Sequence, residues 1–448
     1  MERGLYMKKV IRKTMIRGCS VAMAAMLATG LAFLDPKTAL ASVTAGKVGG
    51  TATLTDVSDR FSTEALRSQY MNSDAVTENV SVRNEERWVI VDFGEPCLFD
   101  DFEETSYVET FSEYANTTAA QNLKAQIERS HSAFLNRLSA SGVSYEYKYS
   151  YTALNNGVAI KVKNRDVATV RSMGEVKEVY SSEAYGVPTV AVSNNANVYT
   201  TGIYNTKDIE QKGEGMVAAI LDTGLDYTHP AFATQLDSPF MTKDSVAEKI
   251  TGLESYKRGG VQSVNDVYLS AKVPYAYDYA DDDTEVYPSY STHGTHVAGI
   301  VAGQDDSKVV NEETGETFIG VAPQAQLVIC KVFTDDLESK AVGGANTIDV
   351  LASLADCVTL GVDSINMSLG QSSGFSQEGY AQAGVLQDVY DRVEKAGVSL
   401  VVAAGNEYSS GFGGTFGTNL TSNPDSGTVG SPSTYDGALS VAAISGQP

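Results

Sequence analysis

Three places in this sequence set reactive side chains where a buried strand or a helix would hold them. The first is Ile220-Leu221-Asp222-Thr223-Gly224. A carboxylate directly behind an apolar run, with a glycine turn after it, is held rigidly and partly out of water. Such an aspartate can fix one tautomer of a histidine and stabilise its cationic form. Taken alone, an aspartate that caps a turn explains the same residues. The second is Ser291-Thr292-His293-Gly294-Thr295-His296, continued by Val297-Ala298-Gly299. Two of the chain's four histidines fall within four residues here. Ser291 or Thr292 is suited to cap a helix, whose small residues then permit close packing on a sheet. A histidine at a helix N-terminus has its protonated form disfavoured by the dipole, which favours a neutral base. The third is Val401-Val402-Ala403-Ala404-Gly405-Asn406. An amide just past a buried strand can donate to a developing oxyanion, although an asparagine in a turn after glycine is the plainer reading.

A metal pair is the chemical rival for the histidines. His293 and His296 are spaced i, i+3, whereas the zinc-protease signature needs i, i+4 and an adjacent glutamate. The segment has no glutamate and implies no third ligand. A fourth stretch, Ile365-Asn366-Met367-Ser368-Leu369-Gly370, reads as a short strand whose extended backbone can accept a peptide as an added strand.

Most of these motifs follow an apolar run that must position them, and the histidine motif opens a helix. Met216 to Leu221, Leu327 to Phe333 and Val398 to Ala403 read as strands buried on both faces, alternating with helical stretches. That pattern predicts a parallel sheet with helices on each side, and ligands in such sheets sit beyond the carboxyl ends of the strands. The region from Ser42 to about Val190 has a different texture. Trp88 to Phe93 reads as a strand and Ala119 to Leu138 as a helix. Strands at Tyr145–Tyr149, Gly157–Val162 and Val176–Tyr180 follow, with a short helix over Asp166–Met173. This strand–helix–strand–strand–helix–strand order predicts a small ferredoxin-like α+β unit. Asn194-Asn195-Ala196-Asn197 marks a linker between the two textures.

Composition narrows the function classes. With 42% hydrophobic and 20% charged residues the 448-residue chain is globular and long enough for two or three domains. A net charge of −23 argues against a nucleic-acid partner, because phosphates are held mainly by Lys and Arg. None of Cys19, Cys97, Cys330 and Cys357 forms a CxxC pair, and Cys330 and Cys357 read as buried thiols. A basic start (Lys8, Lys9, Arg12, Lys13, Arg17), an apolar stretch to Leu34 and Ala39-Leu40-Ala41 read as an export signal cleaved before Ser42. No later run is long enough to span a membrane.

In this order, Asp-Thr-Gly, His-Gly-Thr-His-Val-Ala-Gly, Asn-Met-Ser-Leu-Gly and Ala-Ala-Gly-Asn resemble the signatures of the subtilisin family of serine proteases, over roughly Lys212 to Ile444. The stretch Lys272 to Asp281 makes the match most similar to the lactocepin-like cell-envelope proteinases of Gram-positive bacteria. Ser42 to Val190 resembles the family's inhibitory propeptide, most clearly in its second half. The resemblance implies an α/β fold: a subtilisin-like parallel sheet with helices on both faces, preceded by the small ferredoxin-like propeptide. It divides the chain into a signal peptide (1–41), propeptide (42–190), linker and start of the mature region (191–211) and a partial peptidase domain (212–448). Asp222 would be the triad aspartate, His293 the general base and Asn406 the oxyanion-hole side chain. Ser368, Leu369 and Gly370 would line the substrate groove, with Ala403 and Gly405 near the pocket for the side chain before the scissile bond. His296, Asp226 and His229 would be structural neighbours.

The function so implied is a secreted or cell-envelope serine endopeptidase acting on protein or peptide substrates, with its own propeptide as intramolecular inhibitor. No cofactor is required. Structural calcium, common in the family, has no assigned position; Asp281-Asp282-Asp283 invites one, but a solvated loop explains it, since calcium needs several converging oxygens. One departure is large: the family's nucleophile segment, Gly-Thr-Ser-Met-Ala-x-Pro, does not occur, and Ser431 matches a loop ahead of it. The chain by itself is therefore expected to be inactive. The alternative is a pseudoprotease or a secreted binding module.

Overall fold

The computed structural model describes residues 83–105, 107–186, 211–312, 315–335, 344–370, 383–405 and 429–442. All of these lie in one compact unit, Asn79–Pro448. The export signal, the first part of the propeptide region and most of the linker lie outside the described residues.

The first half of this unit holds strand β1 (Glu86–Asp92), helices α1 (Leu98–Thr105), α2 (Phe111–Ala115) and α3 (Thr118–Ala140), strands β2 (Tyr145–Tyr151) and β3 (Gly157–Lys163), helix α4 (Val167–Arg171), and strands β4 (Glu178–Ser181) and β5 (Ala184–Tyr185). The four longer strands form an antiparallel sheet in the order β2-β3-β1-β4, as the ferredoxin-like pattern predicts. Helices α1 and α2 are additions that periodicity did not reveal. They are too short to show a repeating face, and a capping box at Thr110 starts α2. The period-2 pleat explains why β1 is apolar on both sides. Val89 and Val91 pack with Phe134 and Leu138 of α3, whereas Ile90 joins Tyr149, Tyr151 and Ala159 in a different cluster on the opposite face.

The second half contributes β6 (Val217–Asp222), α5 (Lys243–Lys249), β7 (Tyr275–Asp278), α6 (His293–Ala302), the hairpin β8 (Gln304–Asn311) and β9 (Glu316–Ile319), and β10 (Gln326–Lys331). It continues with β11 (Ala345–Asn346), α7 (Thr347–Leu360), β12 (Ser364–Met367), α8 (Ala383–Lys395), β13 (Ser399–Ala403) and β14 (Ala438–Val441). Six strands form one sheet in the order β14-β13-β12-β6-β10-β7, every pairing parallel. The apolar runs of β6 and β10 are buried along their whole length. Ala218, Ile220, Leu327 and Ile329 meet Val297, Ala298 and Ala302 of α6 on one face. Val217, Ala219, Leu221, Val328 and Cys330 meet Ile348, Leu351, Ala352 and Ala355 of α7 on the other.

Helix α7 is buried at every residue, which an isolated surface helix would not be. One side lies on the parallel sheet, and Ile90, Tyr149 and Tyr151 of the antiparallel sheet belong to the same cluster. Polar contacts tie the halves together. Tyr149 Oη donates to Tyr279 O and Tyr151 Oη to Ile348 O, each at 2.8 Å. Lys148 Nζ meets Asp349 Oδ1 at 2.6 Å, with Asp349 fully buried. Arg392 of α8 pairs with Asp100 at 2.8 Å. Cys330 and Cys357 are both fully buried, as expected, and face each other at 3.6 Å between sheet and helix.

Candidate active site

Asp222 ends β6 at the carboxyl edge of the sheet and is 1% exposed. His293 opens α6 and sets Nδ1 2.8 Å from Asp222 Oδ1 and 3.0 Å from Oδ2. With two carboxylate oxygens on Nδ1, that nitrogen is the N–H donor, which leaves the Nε2 lone pair to act as a base. The carboxylate is held in turn by the amide of Thr223, which donates to Oδ1 at 2.7 Å.

The glycines explain how the two segments come so close. A Cβ on Gly294 would lie 2.4 Å from Gly224 O and 3.1 Å from Asp222 Cβ, so no side chain fits beside the histidine. Gly224 takes φ +103°, and a Cβ there would strike Val286 O at 2.3 Å. Thr223 then bridges the motifs: its hydroxyl donates to Ser291 O at 2.7 Å and accepts from Gly294 N at 2.9 Å. This corrects the expected helix cap. Thr292 occupies the N-cap position without a side-chain cap bond, and Ser291 Oγ accepts only from His293 N at 3.4 Å. An orphan amide of the first turn is satisfied across space by the Asp-Thr-Gly turn instead.

Two of the three neighbours named in the sequence make local hydrogen bonds. Asp226 N donates to Thr295 Oγ1 at 2.8 Å, and His229 Nδ1 accepts from Ala231 N at 3.2 Å. Asp281 and Asp282 lie in a partly exposed turn, as expected, and are also paired. Asp281 faces Lys331 at 3.1 Å and Asp282 faces Arg258 at 2.7 Å, so protein cations already balance both. Among the described residues there is no cluster of three or more His, Cys, Asp or Glu side chains able to hold a metal ion.

Ser368, Leu369 and Gly370 follow β12 at the same carboxyl edge, with Asn366 Nδ2 donating to Ser368 Oγ at 3.0 Å. Ala403 ends β13 and Gly405 follows at φ +105°. Asn406 lies outside the described residues. What sequence reasoning missed is the chain already lying at this edge. Strand β5 pairs antiparallel with β11 (Tyr185 with Ala345, Ala184 with Asn346), and Gly186 bridges to Gly370 on its other side. Tyr185 is 1% exposed. Ala345 is itself bridged to Phe333, just past β10, while Gly370 lies just past β12. The segment therefore sits at the ends of the two strands that flank β6.

Residues 213–447 match the model of the subtilase family, Peptidase S8, and residues 89–187 that of peptidase inhibitor I9. A proteinase fold with an attached inhibitor module is thus defined by sheet, site and match together. The chain belongs to the subtilase family. It is 31% identical over 299 residues to the PIII-type proteinase of Lactococcus lactis subsp. cremoris, covering 66% of this chain and 14% of that protein. A C5a peptidase of Streptococcus pyogenes is 29% identical over 63% of this chain and 24% of its own length. Among solved structures, the epidermin leader peptide processing serine protease of Staphylococcus aureus aligns with a TM-score of 0.45 and 13% identity, over 80% of this chain and 69% of that one. The chain therefore spans only a minor part of the length of these curated relatives. No described helix is long and apolar enough to cross a membrane.

Proposed function

We propose that this chain supplies the pro-region and the Asp–His half of the active centre of an exported serine endopeptidase. The observation that carries this reading is the Asp222–His293 pair, held by Thr223 and Gly294 at the carboxyl edge of the sheet beside an occupied strand site. Asp222 orients His293 through Nδ1. Nε2 would take the proton of a serine hydroxyl as that oxygen attacks the peptide carbonyl, then return it to the leaving amine. The serine is not found among the motifs of these 448 residues. Asn406 would donate to the oxyanion. Ser368 to Gly370 would hold the substrate backbone as an added strand, with Ala403 and Gly405 beside the side chain before the scissile bond.

Strand β5 supports inhibition by the pro-region, since it takes both neighbours that a substrate strand would use. Domain limits of 1–41, 42–190, 191–211 and 212–448 go with this reading, as does a catalytic cycle without a cofactor; any structural calcium has no assigned site.

The test is a fluorophosphonate probe on the full-length gene product after removal of the pro-region. One serine should be labelled, and labelling should disappear in His293→Ala. Loss of the equivalent histidine in subtilisin lowers kcat by about 10⁶. A processed, folded protein that takes no label with Asp222 and His293 intact would instead be a non-catalytic binding module.

A further inference from the structure

We infer that Lys331 is a positioning residue: clamped by three carboxylates, it locks the Asp222 turn to the segment that leads into His293 and so sets the geometry of that pair. The inference rests on reading Asp222 and His293 as the reacting pair.

Lys331 closes β10, an otherwise apolar strand end, and its side chain is 1% exposed. Burying an ammonium group costs several kcal/mol unless it is well paired, and an apolar residue at such a place is often neutral for stability or better. A cation kept there calls for a reason beyond stability. Its surroundings supply one through three attachments. By backbone, Lys331 is in register with Asp222, and Val332 N donates to Asp222 O at 2.9 Å. By its methylenes, it packs on the turn: a Cβ on Gly224 would lie 3.0 Å from Lys331 Cδ. By its ammonium group, it binds Asp278, Asp281 at 3.1 Å and Asp335 at 3.3 Å.

Asp335 carries the link to the histidine. Its oxygens accept from the amides of Tyr290 at 3.0 Å and Ser289 at 3.3 Å, only a few residues before His293. Asp281 braces the arrangement by accepting from Asp335 N at 3.0 Å, and Asp278 Oδ1 accepts from Asp281 N at 2.9 Å. The Asp222 turn is thus tied to the segment before His293 at several points. The Thr223 hydroxyl fixes the start of α6, and Leu225 N donates to Val286 O at 2.9 Å further upstream. Between them, Lys331 through Asp335 holds Ser289 and Tyr290. Without Lys331, the Asp335 that accepts from those two amides loses its cation, and the chain entering α6 is less firmly fixed.

The experiment observes the His293 Nδ1–H proton directly, by NMR of the full chain labelled with ¹⁵N-histidine; four histidines keep assignment tractable. Wild type should show a downfield proton that Asp222→Asn removes. In Lys331→Met/Asp278→Asn, which deletes the ammonium group together with one partner, the resonance should broaden or vanish. In Asp335→Ala, which keeps Lys331, it should shift. Lys124→Met/Glu254→Gln removes another buried pair and should leave it in place, even if stability falls. An unchanged resonance in both cluster variants would overturn the positioning role. If wild type shows no such proton, the Asp–His reading itself fails, and the role of Lys331 with it.

Discussion

The two sheets bury their faces by different means. Both faces of the parallel sheet are covered by helices from its own half, with α6 on one side and α7 on the other. The antiparallel sheet shares its second cover. Val89, Val91, Val158 and Ile160 pack on its own α3, but Ile90, Tyr149, Tyr151 and Ala159 are buried in a cluster that joins its own α1 and α2 to α7 and α8. A four-stranded unit with one shared face has a small core, and small cores are marginal. A pro-region built this way leans on the half that carries Asp222 for part of its cover, and α7 leans on it in return.

That contrast can be broken at either face, and Trp88 of β1, the chain's only tryptophan, reports on the pro-region in urea titrations. The largest effect is expected in the owned core. Phe134→Ala should cost about 4 kcal/mol, the usual range for deleting a buried phenylalanine, seen as a lower midpoint of the Trp88 transition. At the shared face, Lys148→Met strands the fully buried Asp349 and should cost about 3 kcal/mol. Adding Asp349→Asn should recover part of that loss; no recovery would mean that the pair does not couple the halves. Tyr151→Phe, which deletes only the bond to Ile348 O, should cost about 1.5 kcal/mol.

The smallest effect is a pH slope. His131 of α3 is 2% exposed, with Nδ1 2.5 Å from Ser150 Oγ and Nε2 2.8 Å from Asn156 Oδ1. Burial holds its pKa below the ordinary histidine value. The unfolded ring gains a proton below about pH 6.5 while the folded ring resists it. Its contribution is therefore complete above that pH and is lost as pH falls towards the folded value, by at most about 1.4 kcal/mol per pH unit. Asp349, pushed up to about 6 by burial despite Lys148, titrates with the opposite sign. Its folded pKa is raised, so folding gains relative stability as pH falls between about 6 and about 4. The informative measurement is therefore a difference: His131→Gln should flatten the Trp88 midpoint between about pH 7 and about pH 6, and an unchanged slope would exclude His131 as its source.

Much of this was readable in advance, for reasons that differ by element. Strands β6 and β10 were legible because burial on both faces demands an unbroken apolar run, and α3 because its stripe repeats at helical spacing. Asp222 was legible as a type behind such a run and His293 as a type opening a helix, and the ordered motifs made them specific. Helices α1 and α2 were not, being shorter than the period needed to reveal them. Thr223 was passed over because its partners, Ser291 O and Gly294 N, are some seventy residues away and leave no local trace. Lys331 read only as one residue within the strand Leu327 to Phe333, and Asp281 as loop, since nothing along the chain brings them together. Residues 184–186 carried no signal of where they lie.

The sequence by itself determined the family, the two sheet types and the identities of the aspartate and histidine, because apolar periodicity and motif order are local properties. Tertiary structure alone decided what those residues touch. The Gly224–Gly294 approach, the Thr223 bridge, the Lys331 clamp and the strand laid between β11 and Gly370 all join segments distant in the chain. They depend on parallel strands ending side by side, which only the folded sheet provides.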